Sequence, residues 1–246
     1  MKKLVLIITT SCFILASYII TAQPDIPYTA EEILEKCIQF HDPEGKWENY
    51  AGKINLNYVN EKGINNGVES IEIDVKNDFY KCTRINNKGI EIIKGKKNGK
   101  LFRTVNGSIP SEDQINKFGL NDEQIEMMKN WHYFHFGKMM HLKKSGLIIK
   151  SGVSEELVAG RPCYTITMLG EEDKVTHPAW KGDYHLKVDK NTFQLLGMDW
   201  ALNNQEITAE FKGHFEIEAI KIPLVVLYHI GGKDNLSADQ FSKVIE

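Results

Sequence analysis

The sequence is short of cysteine, of basic residues and of long apolar runs. Its four cysteines include no C-x-x-C pair, so neither a redox motif nor a zinc knuckle is present. Acidic residues outnumber basic ones by 33 to 30, whereas nucleic acid selects a basic face. After the first 22 residues no apolar run can cross a membrane, because residues 224–230 have only the length of a strand. We therefore expect no nucleic-acid partner and no transmembrane segment in that part of the chain.

Residues 1–22 have the pattern of a secretory signal peptide. Two lysines open the segment, an uncharged apolar stretch follows, and small residues precede Gln23 at a suitable cleavage point. An uncleaved membrane anchor and a lipoprotein modified at Cys12 are the alternatives. Cleavage leaves residues 23–246, with 28 basic and 33 acidic residues and a net charge of −5. The expected location is the periplasm or cell envelope of a Gram-negative-type bacterium, or the medium outside the cell.

Three cysteines remain after cleavage, namely Cys37, Cys82 and Cys163. Export permits disulfides, but an odd number allows at most one bridge within the chain and leaves one thiol free. Each cysteine lies among apolar residues, which favours three small buried side chains.

The rest of the composition is that of an ordinary globular protein, with 42% hydrophobic and 26% charged residues. Neither an internal repeat nor a low-complexity linker is evident, so residues 23–246 are predicted to form a single domain. Its first element is an amphipathic helix over residues 30–41, with Thr29 as N-cap and Glu32 as its capping-box partner.

Alternating apolar and polar residues predict β-strands over most of the remaining chain. A polar turn separates each strand from the next, which is typical of an antiparallel meander with one solvated face. Pro223 indicates an edge position or a strand start, and residues 236–244 are predicted as a short terminal helix capped by Ser237. The predicted strands are 54–58, 71–75, 78–85, 101–105, 147–153, 164–168, 184–189, 193–202, 206–215 and 217–230.

A helical insert over residues 111–141 interrupts this pattern. Ser111 with Gln114 can cap a short helix, and Asn121 or Asp122 can cap a longer one. The predicted fold class is therefore α+β, with a large curved antiparallel sheet of roughly ten strands, a half-open barrel. The N-terminal helix and the insert would cover the sheet, and incomplete covering would leave a hydrophobic cleft.

Two motifs carry a resemblance to a known family. Residues 160–166 read G-x-x-x-Y-x-I, and residues 184–192 read Y-x-L-x-V-D-x-x-T. In this order of elements they resemble periplasmic lipoprotein carriers and outer-membrane lipoprotein-sorting proteins, and a family of uncharacterised exported proteins with the same layout. The resemblance implies a half-open barrel with a helical lid over an apolar cavity that holds acyl chains. Tyr164, Leu186 and Val188 are expected to face the core, and Asp189 to begin an Asx-type turn.

The histidines suggest a different class of function. His132 and His135 are three residues apart on the predicted insert helix and His141 follows, a spacing at which imidazoles can meet a metal. A histidine-based hydrolase or a metal-dependent enzyme is thus one alternative, although no G-x-S-x-G or H-E-x-x-H motif occurs. A structural or interaction domain with a filled core is another. We predict neither a metal nor a cofactor, and more weakly no enzymatic activity.

The segment over residues 127–142 is unusually dense in aromatic and methionine side chains, which adapt to irregular apolar shapes. The leading hypothesis is an exported, non-catalytic protein that holds an apolar small molecule, a lipid or a lipidated protein between sheet and helices. The candidate ligand-binding residues are Met128, Trp131, Phe134, Phe136, Met139, Ile166 and Met168.

Overall fold

The computed structural model describes residues 26–60, 65–175, 180–202, 205–231 and 236–243, so the predicted signal peptide lies outside the described residues. The helices in this part of the chain are α1 (Ala30–His41), α2 (Glu112–Phe118) and α3 (Asp122–Lys144). The strands are β1 (Ala51–Asn60), β2 (Asn65–Asp74), β3 (Phe79–Ile85), β4 (Glu91–Lys97), β5 (Lys100–Val105), β6 (Ile148–Val158), β7 (Arg161–Gly170), β8 (Gly182–Asp189), β9 (Leu195–Leu202), β10 (Gln205–Ile217), β11 (Ile220–Ile230) and β12 (Leu236–Lys243).

These strands form one curved, unclosed antiparallel sheet in the order β5-β4-β3-β2-β1-β12-β11-β10-β9-β8-β7-β6. Strands β5 and β6 follow each other in the chain but lie at opposite edges of the sheet. The segment that joins them, with α2 and α3, must therefore pass across the sheet. The predicted α+β class, with a curved sheet covered by an N-terminal helix and a helical insert, is confirmed.

The helix starts follow the predicted capping chemistry. Thr29 and Ser111 each close a capping box, with Glu32 and Gln114 respectively, and the side chain of Asn121 accepts the backbone N–H at the third position of α3. Helix α1 packs on β6, β7 and β11, and the apolar stripe that includes Ile33 is fully buried there. None of the helices described is long and apolar enough to cross a membrane.

The predicted core positions of the two motifs are confirmed. Tyr164, Leu186 and Val188 are buried in the main hydrophobic core, which extends across both halves of the sheet. Asp189 begins an Asx turn, since its Oδ1 accepts the backbone N–H of Asn191 at 3.1 Å and of Thr192 at 2.7 Å. The motif residues thus have structural roles at this end of β8.

Residues 236–243 are not a helix, so that prediction is wrong. They form β12, which pairs with β1 on one side and with β11 on the other. Asp239 and Phe241 are buried while Gln240 between them is exposed, which is the alternation of a strand. The apolar residues of this segment are compatible with the spacing of a helix. The segment is extended because its backbone forms hydrogen bonds with strands on both sides.

Two further predictions at strands need correction. Strand β4 was not expected, because Gly95 suggested a turn, but this glycine lies in the strand where a Cβ would overlap the Tyr80 carbonyl oxygen. The turn itself is Asn98-Gly99, with both φ angles positive (53° and 74°). Pro223 does not lie on an edge strand, since β11 has partners on both sides. It precedes Val225, where pairing with β12 begins, so its missing N–H leaves that ladder intact.

Candidate functional site

Helix α3 is the element that brings side chains to the candidate site. Residues 132–140 are all buried, as expected for a helix segment enclosed between other elements. The helical dihedral angles break at Lys138, where φ is 42° and ψ is −119°, directly after Gly137. A kink at this point lets the part of α3 before Gly137 and the part after it follow different directions over the sheet.

Gly137 is needed at the kink because the Trp47 ring packs directly on its backbone. A Cβ at this position would overlap the indole ring of Trp47, which is itself buried and stacked on Tyr50 at a centroid distance of 6.1 Å. The ring also meets Tyr133 edge-on at 6.1 Å, so two aromatic neighbours hold it in this position.

Replacing Gly137 by alanine is expected to lower the free energy of unfolding by about 2–4 kcal/mol through this overlap. Denaturant unfolding of the variant measures the loss. In the double variant with Trp47→Phe, the smaller ring leaves room for the new methyl group. The double variant should therefore lose less free energy of unfolding than the two single variants lose together. Full additivity would show that the ring and the methyl group do not compete for space.

A pocket of about 410 Å³ lies between the first half of α3 and the sheet. Helix α3 contributes Met127, Met128, Asn130 and Trp131 to its wall. Of the fourteen described residues that line it, all but Asn130, Ser237 and Asp239 are aromatic, methionine or isoleucine. The volume falls within the range of small-molecule sites, roughly 300–1,000 Å³, which are mostly apolar with a few placed polar groups.

Aromatic rings hold the shape of this pocket. Trp131 lies 5.9 Å from Trp200 and 5.8 Å from Tyr228, measured between ring centroids. Trp180 and Tyr184 form a second pair at 6.0 Å. Such tilted ring pairs add stabilisation of about 0.5–1.5 kcal/mol each beyond their buried area. The pocket wall is therefore expected to be largely formed before any ligand enters.

One end of the pocket is polar and is fixed by a chain of hydrogen bonds. Nδ1 of His135 lies 2.8 Å from the backbone carbonyl oxygen of Trp131, which can only accept, so Nδ1 carries the proton. Burial lowers the pKa of His135 to about 3, so Nε2 is unprotonated and accepts the hydroxyl proton of Tyr228. Asp239 lies next to Tyr228, and burial raises the pKa of its carboxyl to about 7.

A second buried network lies around His132. The Tyr58 hydroxyl donates to Glu69 Oε2 at 3.1 Å, so its oxygen is left to face Nε2 of His132 at 3.4 Å. The Tyr80 hydroxyl lies 2.8 Å from Nδ1 of the same ring, and donates to it in this tautomer. Burial lowers the pKa of His132 well below its usual value. Both histidines are thus neutral, partnered and oriented from within the fold.

The seven residues predicted from the sequence to bind a ligand fall into two groups. Met128 and Trp131 line the pocket. Phe134, Phe136, Met139, Ile166 and Met168 are buried in the hydrophobic core and do not line it. Phe134 lies one layer behind the wall, with its ring 6.0 Å from Trp131 and 5.6 Å from Trp180. Which of the seven contact a ligand stays a prediction.

Several lining residues were not predicted from the sequence. The main ones are Trp180, Tyr184, Met198, Trp200 and Tyr228, which come from β8, β9, β11 and the segment before β8. A usable signal was present, because Met198 and Trp200 occupy alternate positions of one strand and so point to the same face. What the sequence does not show is that α3 crosses the sheet above these particular strands.

The residues proposed for catalysis or metal binding do not converge in the part of the chain described. Within it, no group of three or more His, Cys, Asp and Glu side chains is arranged to hold a metal ion. Cys37, Cys82 and Cys163 are all buried and are not disulfide-bonded. Neither His132 nor His135 lines the apolar pocket. Two cavities of similar size, about 460 and 470 Å³, carry charged side chains such as Glu72 and Lys129 in their walls.

The fold and site can be compared with known proteins. A family model matches residues 4–203, and the chain belongs to that family, which is described as a family of unknown function (DUF6503). This agrees with the predicted resemblance to an uncharacterised family. No curated protein matches the chain.

Solved structures with a similar fold include two of the predicted kind. A LolA superfamily protein from Nitrosomonas europaea is 12% identical, with a TM-score of 0.49 over 89% of this chain and 94% of that one. A domain of an outer membrane lipoprotein-sorting protein from Vibrio parahaemolyticus is 12% identical, with a TM-score of 0.47 over 87% and 92%. A DUF1329 family protein from Desulfovibrio piger is 10% identical, with a TM-score of 0.40 over 87% and 91%. The predicted resemblance to lipoprotein-sorting proteins and to an uncharacterised family is confirmed.

Proposed function

We propose that this protein is an exported, non-catalytic binding protein that holds an apolar ligand in the pocket between α3 and the sheet. The ligand would be a lipid-like molecule or the acyl chain of a lipidated partner. The observation that carries the proposal is the lining of the pocket, where eleven of the fourteen lining residues in the described part of the chain are aromatic, methionine or isoleucine. Binding of an apolar ligand to such a lining is favourable, because apolar surface on both sides is removed from water.

The composition of the α3 wall supports a role beyond packing. Met127 is 43% exposed, and Met128 and Trp131 are only partly buried, although each could have been placed in the core. A cluster of exposed apolar side chains around a concave surface is uncommon in soluble monomers and often marks a binding site. Methionine also adapts to ligands of irregular shape, which suits a site for flexible chains.

The cellular setting is part of the same proposal. Residues 1–22 would direct export and be removed, and residues 23–246 would act as one domain in the periplasm, in the cell envelope or outside the cell. Charge supports a partner other than nucleic acid, since the whole chain has a net charge of −3.

The proposal is tested by the binding of N-phenyl-1-naphthylamine, an apolar dye whose fluorescence rises when water is excluded. The purified protein should bind the dye, and decanol should displace it. Met128→Glu should weaken dye binding at least tenfold, because it places a charged group against the bound ligand. Unfolding curves of the variant should stay close to wild type, since Met128 is only partly buried.

Leu157→Glu is the matched control for this experiment. Leu157 is 72% exposed on β6 and does not line the pocket, so the same apolar-to-acidic change should leave dye binding unaltered. Equal weakening by both variants, or no saturable binding to the wild type, would overturn the proposed function.

A further inference from the structure

The charge in the described lining of the apolar pocket is negative. Its lining includes Asp239 but no lysine, arginine or histidine among the residues described. Asp239 is 5% exposed and lies directly across from Tyr58 in the pairing of β12 with β1. Ser237, two residues earlier on the same strand, and Asn130 of α3 are the other polar residues of the lining. Strand register therefore places a carboxyl group at a fixed end of an otherwise apolar site.

A second carboxylate stands behind the first. Glu69, which is 3% exposed, accepts the Tyr58 hydroxyl at 3.1 Å, and Tyr58 itself lines the pocket. The Arg84 guanidinium also reaches this cluster, with its Nη1 4.0 Å from Oε1 of Glu69. His135 cannot offset the acidity, because it is neutral and its Nε2 accepts from Tyr228.

From this lining we infer that the pocket selects ligands whose polar end donates a hydrogen bond and carries no negative charge, such as an amine or alcohol on an apolar chain. The inference rests on the proposed function and adds the chemistry of the ligand's polar end. An ammonium or hydroxyl group can donate to the Asp239 carboxyl in the pocket wall. A carboxylate or phosphate would be buried beside like charge, and the described lining offers no cation to pair with it, which is costly.

The protonation state of Asp239 sets the conditions of the test. Burial is the main cause that raises the pKa of this carboxyl to about 7, and the nearby charge of Glu69 adds to it. The titratable groups that face Asp239 are Tyr228, Tyr58, Glu69 and His135. At pH 8 Asp239 is mostly ionised, so discrimination against anions should be strongest there.

The test is a titration of the full protein at pH 8 with decylamine, decanol and decanoate, which share one apolar chain. Isothermal calorimetry should show that decylamine and decanol bind at least tenfold more tightly than decanoate. Asp239→Asn should reduce this ratio to less than threefold, mainly by improving the binding of decanoate. Asp183→Asn is the matched control, because Asp183 is exposed on β8 and pairs with Lys150, and it should leave the ratio unchanged.

The outcomes separate this inference from the proposed function. Equal affinity for the three ligands, or a preference for decanoate, would overturn the inference while leaving an apolar binding protein. Binding of none of the three would overturn the proposed function and the inference with it. The comparison in the wild-type protein needs no variant, so the test stands even if Asp239→Asn fails to fold.

Discussion

Replacing Lys138 by methionine is expected to raise the free energy of unfolding at pH 7 by about 3 kcal/mol. Lys138 is 1% exposed, so its side chain is enclosed by the protein and shielded from water. Its Nζ lies over the face of the Phe211 ring, 5.6 Å from the ring centroid. Burial lowers the pKa of this amine to about 7, because the charged form is poorly solvated there. Methionine keeps the apolar chain and removes the charge.

The pH dependence of this gain identifies its cause. An amine whose pKa is lower in the folded state penalises folding fully below that pKa, and the penalty disappears as the pH rises to the unfolded value of 10.5. The difference between Lys138→Met and wild type should therefore be largest at pH 7 and below and should shrink towards pH 10. The titratable groups near this amine are Cys37, His41 and His135, and all three are present in the two proteins compared.

Denaturant unfolding at pH 7 and pH 10 measures the effect. The free energy of unfolding should depend on denaturant concentration with the same slope in both proteins. Lys143→Met is the control, since Lys143 is on the same helix but exposed and should change stability by less than about 0.5 kcal/mol. A destabilised Lys138→Met, or a gain that is the same at both pH values, would contradict the account.

The protein is expected to unfold cooperatively on acidification, with a midpoint between about pH 4 and pH 5. Burial lowers the pKa of four histidines, to about 3 for His135 and His141 and well below the usual value for His41 and His132. Below the unfolded pKa of 6.5 the unfolded chain binds protons that the folded protein does not, so stability falls as the pH falls. Each of these histidines lowers the free energy of unfolding by about 1.4 kcal/mol for every pH unit of acidification in this window. Asp239 acts in the opposite sense between pH 7 and 3.8, but it is one group against four.

His141→Phe gives the sharpest test of this acid unfolding. Nε2 of His141 is buried and has no hydrogen-bond partner among the residues described, while its ring packs edge-on against Tyr133 at 5.8 Å. Phenylalanine keeps the ring and removes the titration, so the acid midpoint should fall by a few tenths of a pH unit without loss of stability at pH 7. Circular dichroism against pH measures both midpoints. A midpoint that stays unchanged or rises would show that this histidine does not drive the transition.

Much of the fold could be predicted from local chemistry. The capping boxes at Thr29 and Ser111 and the Asx turn at Asp189 depend on residues three or fewer apart, and all three are confirmed. Strand β12 could not be recognised in this way, because its conformation depends on pairing with β1, nearly two hundred residues earlier. Tertiary pairing overrides a local spacing that is compatible with a helix.

The candidate site was predictable only on its helical side. The dense aromatic and methionine segment pointed to α3, and Met128 and Trp131 do line the pocket. Phe136 and Met139 lie deeper because the helix is buried on every side over residues 132–140 and kinks at Lys138. The opposite wall depends on which strands lie beneath α3, and periodicity within one segment carries no information about that.

The most direct test of the central claim is native mass spectrometry of residues 23–246, purified from cells without detergent, with organic extraction of the same sample. The account predicts a bound apolar molecule at about one per chain, retained in Leu157→Glu and lost in Met128→Glu. Its polar end should carry no negative charge if the inference from Asp239 is also correct. A clean mass for the protein alone, unchanged after incubation with decanol and with phospholipid vesicles, would contradict the claim that the pocket is a binding site.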